Sequence, residues 1–346
     1  MLKLHVWGVN SQVSIISPEC VASSWLLINQ FNNEDQYEII TSCNTNLSDL
    51  HTLPVLIDSD TNEKYHGYEE ISTFIDEFSG KKNNKLILSQ SQDLSIREKL
   101  INIGLIHQLI SKVEYINQYN LYINNRNYEG YVRKLFQNYL PFPMMYNQPL
   151  KFYNQAQLQV PLIGLNRGKV GFFSLSATPE VAETEYFKGE DLDEGGDEIE
   201  EVETKPLSAL HERQLIKKSK EKSLLQESQN SLKCMNLLHS YLDIFFKTYQ
   251  EFNGTEEKRK FGYIFKEKFS SSEVLLYGYI YCLTFEELPD RFLNNYLNHK
   301  LPETLKFINQ SINELNKKKG NFRPPKGDEI PNLWNEVKYW TRLVEY

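Results

Sequence analysis

Leu53-Pro54-Val55-Leu56-Ile57-Asp58-Ser59-Asp60-Thr61-Asn62-Glu63-Lys64-Tyr65-His66-Gly67-Tyr68 is the stretch on which the fold turns. Residues 53–57 are an aliphatic run of strand length, 58–62 have turn composition, and 63–66 read as a short returning strand. Gly67 then opens a helix that carries Ile71, Phe74, Ile75 and Phe78 on one side and is closed by Gly80. Two strands and an amphipathic helix succeed one another with almost no connecting chain. A proline stands at the head of the first strand.

The chain before this unit supplies a matching half. Residues 2–7 have the β-branched and aromatic character of a strand, and 37–41 read as a second. Between them, Ser17-Pro18 places a cap and a first-turn proline before Val21, Trp25 and Ile28 at helical spacing. The order over residues 1–80 is βαβ–loop–ββα, that of a thioredoxin-like domain. In that fold the proline opening the third strand is usually cis, since only an X-Pro bond reaches that geometry at low cost. Pro54 stands there; an edge-strand proline in another α/β domain is the alternative.

The chain beyond residue 80 reads as helical. A polar linker over 81–92 leads to Ser95 and Glu98 at capping-box spacing, then to Ile96, Leu100, Ile103, Ile106, Ile110 and Val113 as a buried stripe. A second helix over 127–139 stops at Pro141, and an irregular insertion occupies 141–206. Helices resume over 207–225 and 232–249. Ser270 and Glu273 form another capping box, directly before the apolar run of residues 274–280, which reads as a central, surrounded helix. A helix over 301–315 and an amphipathic tail over 331–346 complete the chain, the tail carrying Leu333, Trp334, Val337, Trp340, Leu343 and Val344. The expected division is an α/β thioredoxin-like domain at 1–80 and an all-α domain from 93–140 and 207–320. Together these make a glutathione-transferase-like architecture.

Composition narrows the function. The net charge of −8 over 346 residues is concentrated in 190–203, where nine carboxylates occur with no cation between them. Without that run the chain is close to neutral, which argues against nucleic acid as a partner. The acidic loop, about residues 176–205, reads as disordered; it is either a solvated loop or an attractor for a basic partner. Cys20, Cys43, Cys234 and Cys282 are far apart without metal-ligand spacing, so neither zinc nor a disulfide framework is expected, and a reducing compartment fits. The N-terminal residues lack the patterns of a signal or transit peptide. No run reaches the ~18 apolar residues needed to span a bilayer, so attachment to a membrane is expected through partners.

A glutathione-using enzyme needs a hydroxyl or thiol at the start of the first helix. It also needs donors for the γ-glutamyl carboxylate, normally a Glu/Gln-Ser pair opening the helix after the fourth strand. Ser17-Pro18-Glu19-Cys20 reads two ways: as the turn of a thiol transferase, or as a helix cap with a cysteine packed behind it. Gly67-Tyr68 replaces the Glu/Gln-Ser pair and lacks its small hydroxyl. Gly164, Gly168 and Lys169 do not make a phosphate loop, because Val170 stands where a magnesium-binding Ser/Thr belongs. No His pair has metal-binding spacing. No catalytic residue, cofactor or metal is expected; a glutathione-dependent transferase or thiol reductase is the alternative.

His5-Val6-Trp7-Gly8, Ile16-Ser17-Pro18-Glu19-Cys20, Leu53-Pro54-Val55-Leu56 and Gly67-Tyr68 together resemble the N-terminal region of the metaxins and their fungal relatives. Pro141-Phe142-Pro143-Met144-Met145-Tyr146-Asn147-Gln148-Pro149-Leu150 is similar to a segment of the fungal sorting-and-assembly subunit of that family. The likeness covers residues 1–150. It implies a peripheral subunit on the cytosolic face of the mitochondrial outer membrane. Its implied partners are a β-barrel insertase core subunit, a second metaxin-like subunit and the import translocase receptor, with β-barrel precursors contacted indirectly. Some relatives carry a C-terminal apolar anchor where this chain has its amphipathic tail. A transferase-shaped scaffold in a cytosolic assembly is a further alternative. The candidate partner-binding residues are Pro141, Phe142, Pro143, Met144, Met145, Tyr146, Trp334 and Trp340. Residues 141–150 read equally as an exposed contact surface or a buried helix connection.

Overall fold

The computed structural model describes residues 1–31, 34–79, 86–165, 209–254, 262–266 and 268–343, with residues 34, 79 and 209–223 described by backbone alone. The acidic run 190–203, residues 166–206 of the insertion, residues 207–208 of the helix expected after it, the closing Gly80 and Val344 of the tail lie outside the described residues.

Strand β1 (Leu2–His5) is central to a mixed sheet. It pairs in parallel with β4 (Tyr37–Ile40) and antiparallel with β5 (Val55–Asp58), which pairs antiparallel with β6 (Lys64–His66). A two-residue hairpin, β2 (Gly8–Val9) and β3 (Gln12–Val13), precedes helix α1 (Pro18–Gln30). Ser17 caps α1, and α2 (Gly67–Ser79) starts directly from β6. The Leu53–Pro54 peptide is cis. Pro54 O accepts the Gly67 N–H at 3.1 Å, and Gly67 has φ +67°, a conformation open to glycine without strain. The ββα unit therefore turns into its helix within one residue.

The helical part begins with α3 (Ile96–Gln108), whose cap is the complete Ser95–Glu98 box. Short helices α4 (Glu114–Gln118), α5 (Asn125–Asn127) and α6 (Arg133–Tyr139) come next, separated by π-helical turns. Then come α7 (Met144–Gln159), α8 (Ala209–Asn253), α9 (Ser271–Leu283), α10 (Phe292–Lys300) and α11 (Pro302–Leu315). Helix α9 is buried almost all round and packs on α1. Gly278 makes that approach possible: a Cβ there would lie 3.0 Å from Pro18 O and 3.3 Å from Ala22 Cβ. A thioredoxin-like unit packed through its first helix on a helical domain is the glutathione-transferase-like architecture.

Four expectations are corrected. Ile96 and Leu100 are 78% and 66% exposed and Ile103 is also exposed, so the α3 stripe is not buried along its length. The inward face is Asn102, Leu105, Ile106, Leu109 and Val113. Asn102 turns the helix this way because its amide donates to Ser271 Oγ (2.8 Å) and its carbonyl accepts Ser272 N–H (3.1 Å). The helices expected at 207–225 and 232–249 are one, since residues 226–231 contain neither Gly nor Pro to break them. Residues 144–159 of the supposed irregular insertion are helical. Within the polar linker, Ile87 and Leu88 are buried and residues 86–88 bond to Phe269.

The return of the chain to the sheet carries no sequence signal of its own. After α11, strand β7 (Phe322–Arg323) adds in parallel to β4, giving the order β6-β5-β1-β4-β7. Arg323 clamps the return: Nε donates to Glu38 (2.6 Å), and its two terminal nitrogens donate to Glu329 (2.7 and 2.8 Å). Helix α12 (Leu333–Trp340) ends the described chain, capped by Asn332.

Candidate functional site

The first candidate place is the junction of α1 and α2, where this architecture would receive glutathione. Ser17 Oγ accepts the Cys20 N–H at 3.3 Å, so it serves as a helix cap. Cys20 is buried, and burial pushes its thiol up to about 12 despite hydrogen bonds that favour the thiolate. At neutral pH the sulfur keeps its proton and lacks the nucleophilic form. Cys43, at the rim of the same sheet, exchanges hydrogen bonds with the Gly8 backbone and is likewise pushed up to about 12 by burial.

The N-terminus of α2 is already filled. Glu19 Oε2 accepts the Tyr68 N–H at 2.9 Å, placing a carboxylate of this chain on a helix start that would attract a ligand's carboxylate. Desolvation raises the Glu19 carboxyl, and the Tyr68 N–H lowers it in opposition. The Tyr68 ring is wholly buried, and its hydroxyl donates to Ser271 O on α9 at 2.6 Å. Tyr68 thus bridges α1, α2 and the central helix. Close by, burial and then the charge of Glu19 push the Glu114 carboxyl up to about 8. The Ser270–Glu273 box belongs to this scaffold: Glu273 accepts Ser270 N–H (2.8 Å), Ser270 Oγ–H (2.6 Å) and Ile264 N–H (3.0 Å), and burial pushes it up to about 7.

The second candidate place brings together two segments distant in sequence. Pro143 and Met144 at the start of α7, Trp340 and Leu333 of α12, and Trp7 and Cys43 at the sheet rim line one cavity of about 310 Å³. Phe142 is 73% exposed and meets the ring of Tyr146 edge-on at 6.2 Å. Pro141 is exposed, whereas Met144 and Met145 are half-buried and pack against the core. The segment is therefore both a helix connection and a surface. Trp334 lies outside the cavity lining and is exposed.

Helix α12 is seated by its polar side. Asn335 is buried and donates to Gly327 O (3.2 Å) and Ile330 O (2.8 Å). Lys338 pairs with Asp328 at 3.1 Å, and Tyr339 meets His51 edge-on at 5.9 Å. Leu333, Trp334, Val337, Trp340 and, just beyond, Leu343 are exposed. The apolar spacing was legible in the sequence, but which side faces the protein was not; Asn332 and Asn335 carried the only hint. Glu19 was overlooked because its partner lies 49 residues away.

Among the described residues, no group of three or more His, Cys, Asp or Glu could hold a metal ion, and no helix is long and apolar enough to cross a membrane. Residues 20–153 match the family model Tom37, described as outer mitochondrial membrane transport complex protein, and residues 188–343 match the Tom37 C-terminal domain. No curated protein matches the chain. Among solved structures, a glutathione S-transferase of Ceriporiopsis subvermispora in complex with glutathione is similar at TM-score 0.46 and 8% identity, over 91% of this chain and 97% of that one.

Proposed function

Because the chain belongs to the Tom37 family of outer mitochondrial membrane transport complex proteins, we propose that it is a non-enzymatic subunit of the sorting and assembly machinery of that membrane. In this role it supports the insertion, assembly and release of β-barrel precursors and the contact with the import translocase. It sits peripherally on the cytosolic face beside the insertase core subunit and a second metaxin-like subunit. It works by surface complementarity, and precursors are met through its partners.

The observation that carries the non-enzymatic reading is the Glu19–Tyr68 bond. A transferase keeps the start of α2 free for the substrate carboxylate; here a carboxylate of the chain occupies it, and the nearest thiol is protonated. The cavity between α7, α12 and the sheet rim, together with the exposed Phe142 and Tyr146 of the segment that supplies Pro143 and Met144 to it, is the proposed partner-binding region.

The test is purification of the tagged chain from detergent-solubilised mitochondria. Recovery of an insertase barrel and a second metaxin-like chain, with porin assembly lost on gene deletion, is the expected result. A free monomer that binds immobilised glutathione and turns it over would establish the transferase reading instead.

A further inference from the structure

Helix α12 gives four residues to the wall of the cavity it shares with α7: Leu333, Glu336, Val337 and Trp340. Their i, i+3, i+4, i+7 spacing puts them on one face of the helix. Glu336 thus stands inside the apolar stripe rather than across from it. Among the described residues its carboxylate has neither an ion pair nor a side-chain hydrogen bond. Burial keeps the Cys43 thiol of the same wall protonated, so among the described residues Glu336 is the one charge lining the cavity. Asn147 and Gln148 of α7 add two side-chain amides that are also without a partner among the described residues. This face is fixed toward the cavity. Asn335, on the other side of the helix, donates to Gly327 O and Ile330 O and sets the rotation of α12 about its axis.

We propose that the cavity receives a segment of a partner protein in which an arginine or lysine stands among apolar residues, the cation pairing with Glu336. The proposal rests on the subunit reading above and names the chemistry of what such a subunit would hold there. Charge complementarity decides the occupant. A wholly apolar cover, lipid chains included, would bury the Glu336 carboxylate without a counter-charge, which is costly. A basic residue with apolar neighbours meets both demands of the wall. Its methylenes suit Leu333 and Val337, and its head group suits the carboxylate. The Trp340 indole, 81% exposed, offers a ring face to the same cation. The free amides of Asn147 and Gln148 supply oxygens for its remaining N–H groups. At about 310 Å³ the cavity is at the small end of ligand-sized pockets, which suits one long side chain and its neighbour.

The test combines crosslinking with charge substitution in the full chain. A photoreactive phenylalanine analogue replaces Asn147, the exposed amide of the lining. Mitochondria are irradiated, and the adduct is identified by mass. The expected adduct is a segment of another protein with a basic residue among apolar ones. A lipid adduct, a second copy of this chain, a segment without a basic residue or no adduct overturns the proposal. Dissociation of the crosslinked partner is then followed from the tagged, detergent-solubilised complex. Glu336→Gln is expected to speed it about tenfold to a hundredfold. Glu336→Lys abolishes the contact, and an acidic residue in place of the partner's cation restores it. Because the Glu336 side chain holds nothing within the described residues, both variants keep the wild-type circular dichroism and melting temperature. A complex with the insertase that dissociates from Glu336→Lys as from wild type overturns this proposal and leaves the subunit reading intact. A Glu336-dependent basic adduct without any outer-membrane complex does the reverse.

Discussion

The carboxylate of Glu19, in the first turn of α1, accepts the backbone N–H of Tyr68, in the first turn of α2, at 2.9 Å. One side chain thereby ties the two helices of the thioredoxin-like unit together and occupies the anion-attracting end of the second.

Replacing Glu19 by alanine leaves the Tyr68 N–H without its acceptor, at a cost of about 1–3 kcal/mol. Glu19→Gln keeps an acceptor oxygen and costs less. In the alanine variant, sodium formate is expected to raise the melting temperature above that in sodium chloride of equal ionic strength, since the small carboxylate restores the lost bond. Identical melts in the two salts would show that the site does not select carboxylates.

Tyr68→Phe removes only the hydroxyl that donates to Ser271 O at 2.6 Å, at a buried position. The expected loss is about 1–2 kcal/mol, read from chemical denaturation. A change within experimental error would mean that solvent replaces the bond.

Stability is expected to fall as pH rises from mildly acidic to mildly alkaline. Burial pushes Glu114 up to about 8 and Glu273 up to about 7, against an ordinary value of 4.5. Between those values the folded chain holds protons that the unfolded chain releases, so raising the pH favours unfolding. The penalty is absent below about pH 4.5 and complete above about pH 8 for Glu114. Melting temperatures at pH 6 and 8.5 measure the slope, and Glu114→Gln should flatten it; an unaltered slope would exonerate this carboxyl.

Arg323→Ala removes a paired, half-buried guanidinium and leaves Glu38 and Glu329 facing each other without it. The expected local cost is about 2–4 kcal/mol. Hydrogen exchange should accelerate through β7 and α12 while α9 keeps its protection. Uniform acceleration across the chain would show that the return segment is part of the global unfolding unit.

How much was legible in the sequence depended on the reach of each signal. The ββα unit, the cap at Ser17 and both capping boxes are local, and their residues announced them. The orientation of α3 was misread because Ile96, Leu100 and Ile103 outweighed Asn102, whose inward turn is set by Ser271 and Ser272 far along the chain. Two missed features, one in the first candidate site and one at the return of the chain to the sheet, have the same origin. Glu19 looks like any acidic residue in a first turn, and Arg323 like any surface cation, until the fold delivers their partners. For α12, hydropathy spacing revealed two faces but could not say which was inward; that was decided by backbone carbonyls of Gly327 and Ile330.

The return of β7 to the sheet also has a consequence in time. Glu38 and Arg323, which join the two ends of this arrangement, are 285 residues apart. At ribosomal rates of ~5–20 residues per second, β4 emerges roughly 15–60 s before the strand that covers its edge. During translation the nascent thioredoxin-like unit therefore carries an open strand edge, a template for pairing with other chains. A newly made chain is exposed to self-association over that interval, and chaperone occupancy should peak before β7 leaves the exit tunnel and decline once it has docked.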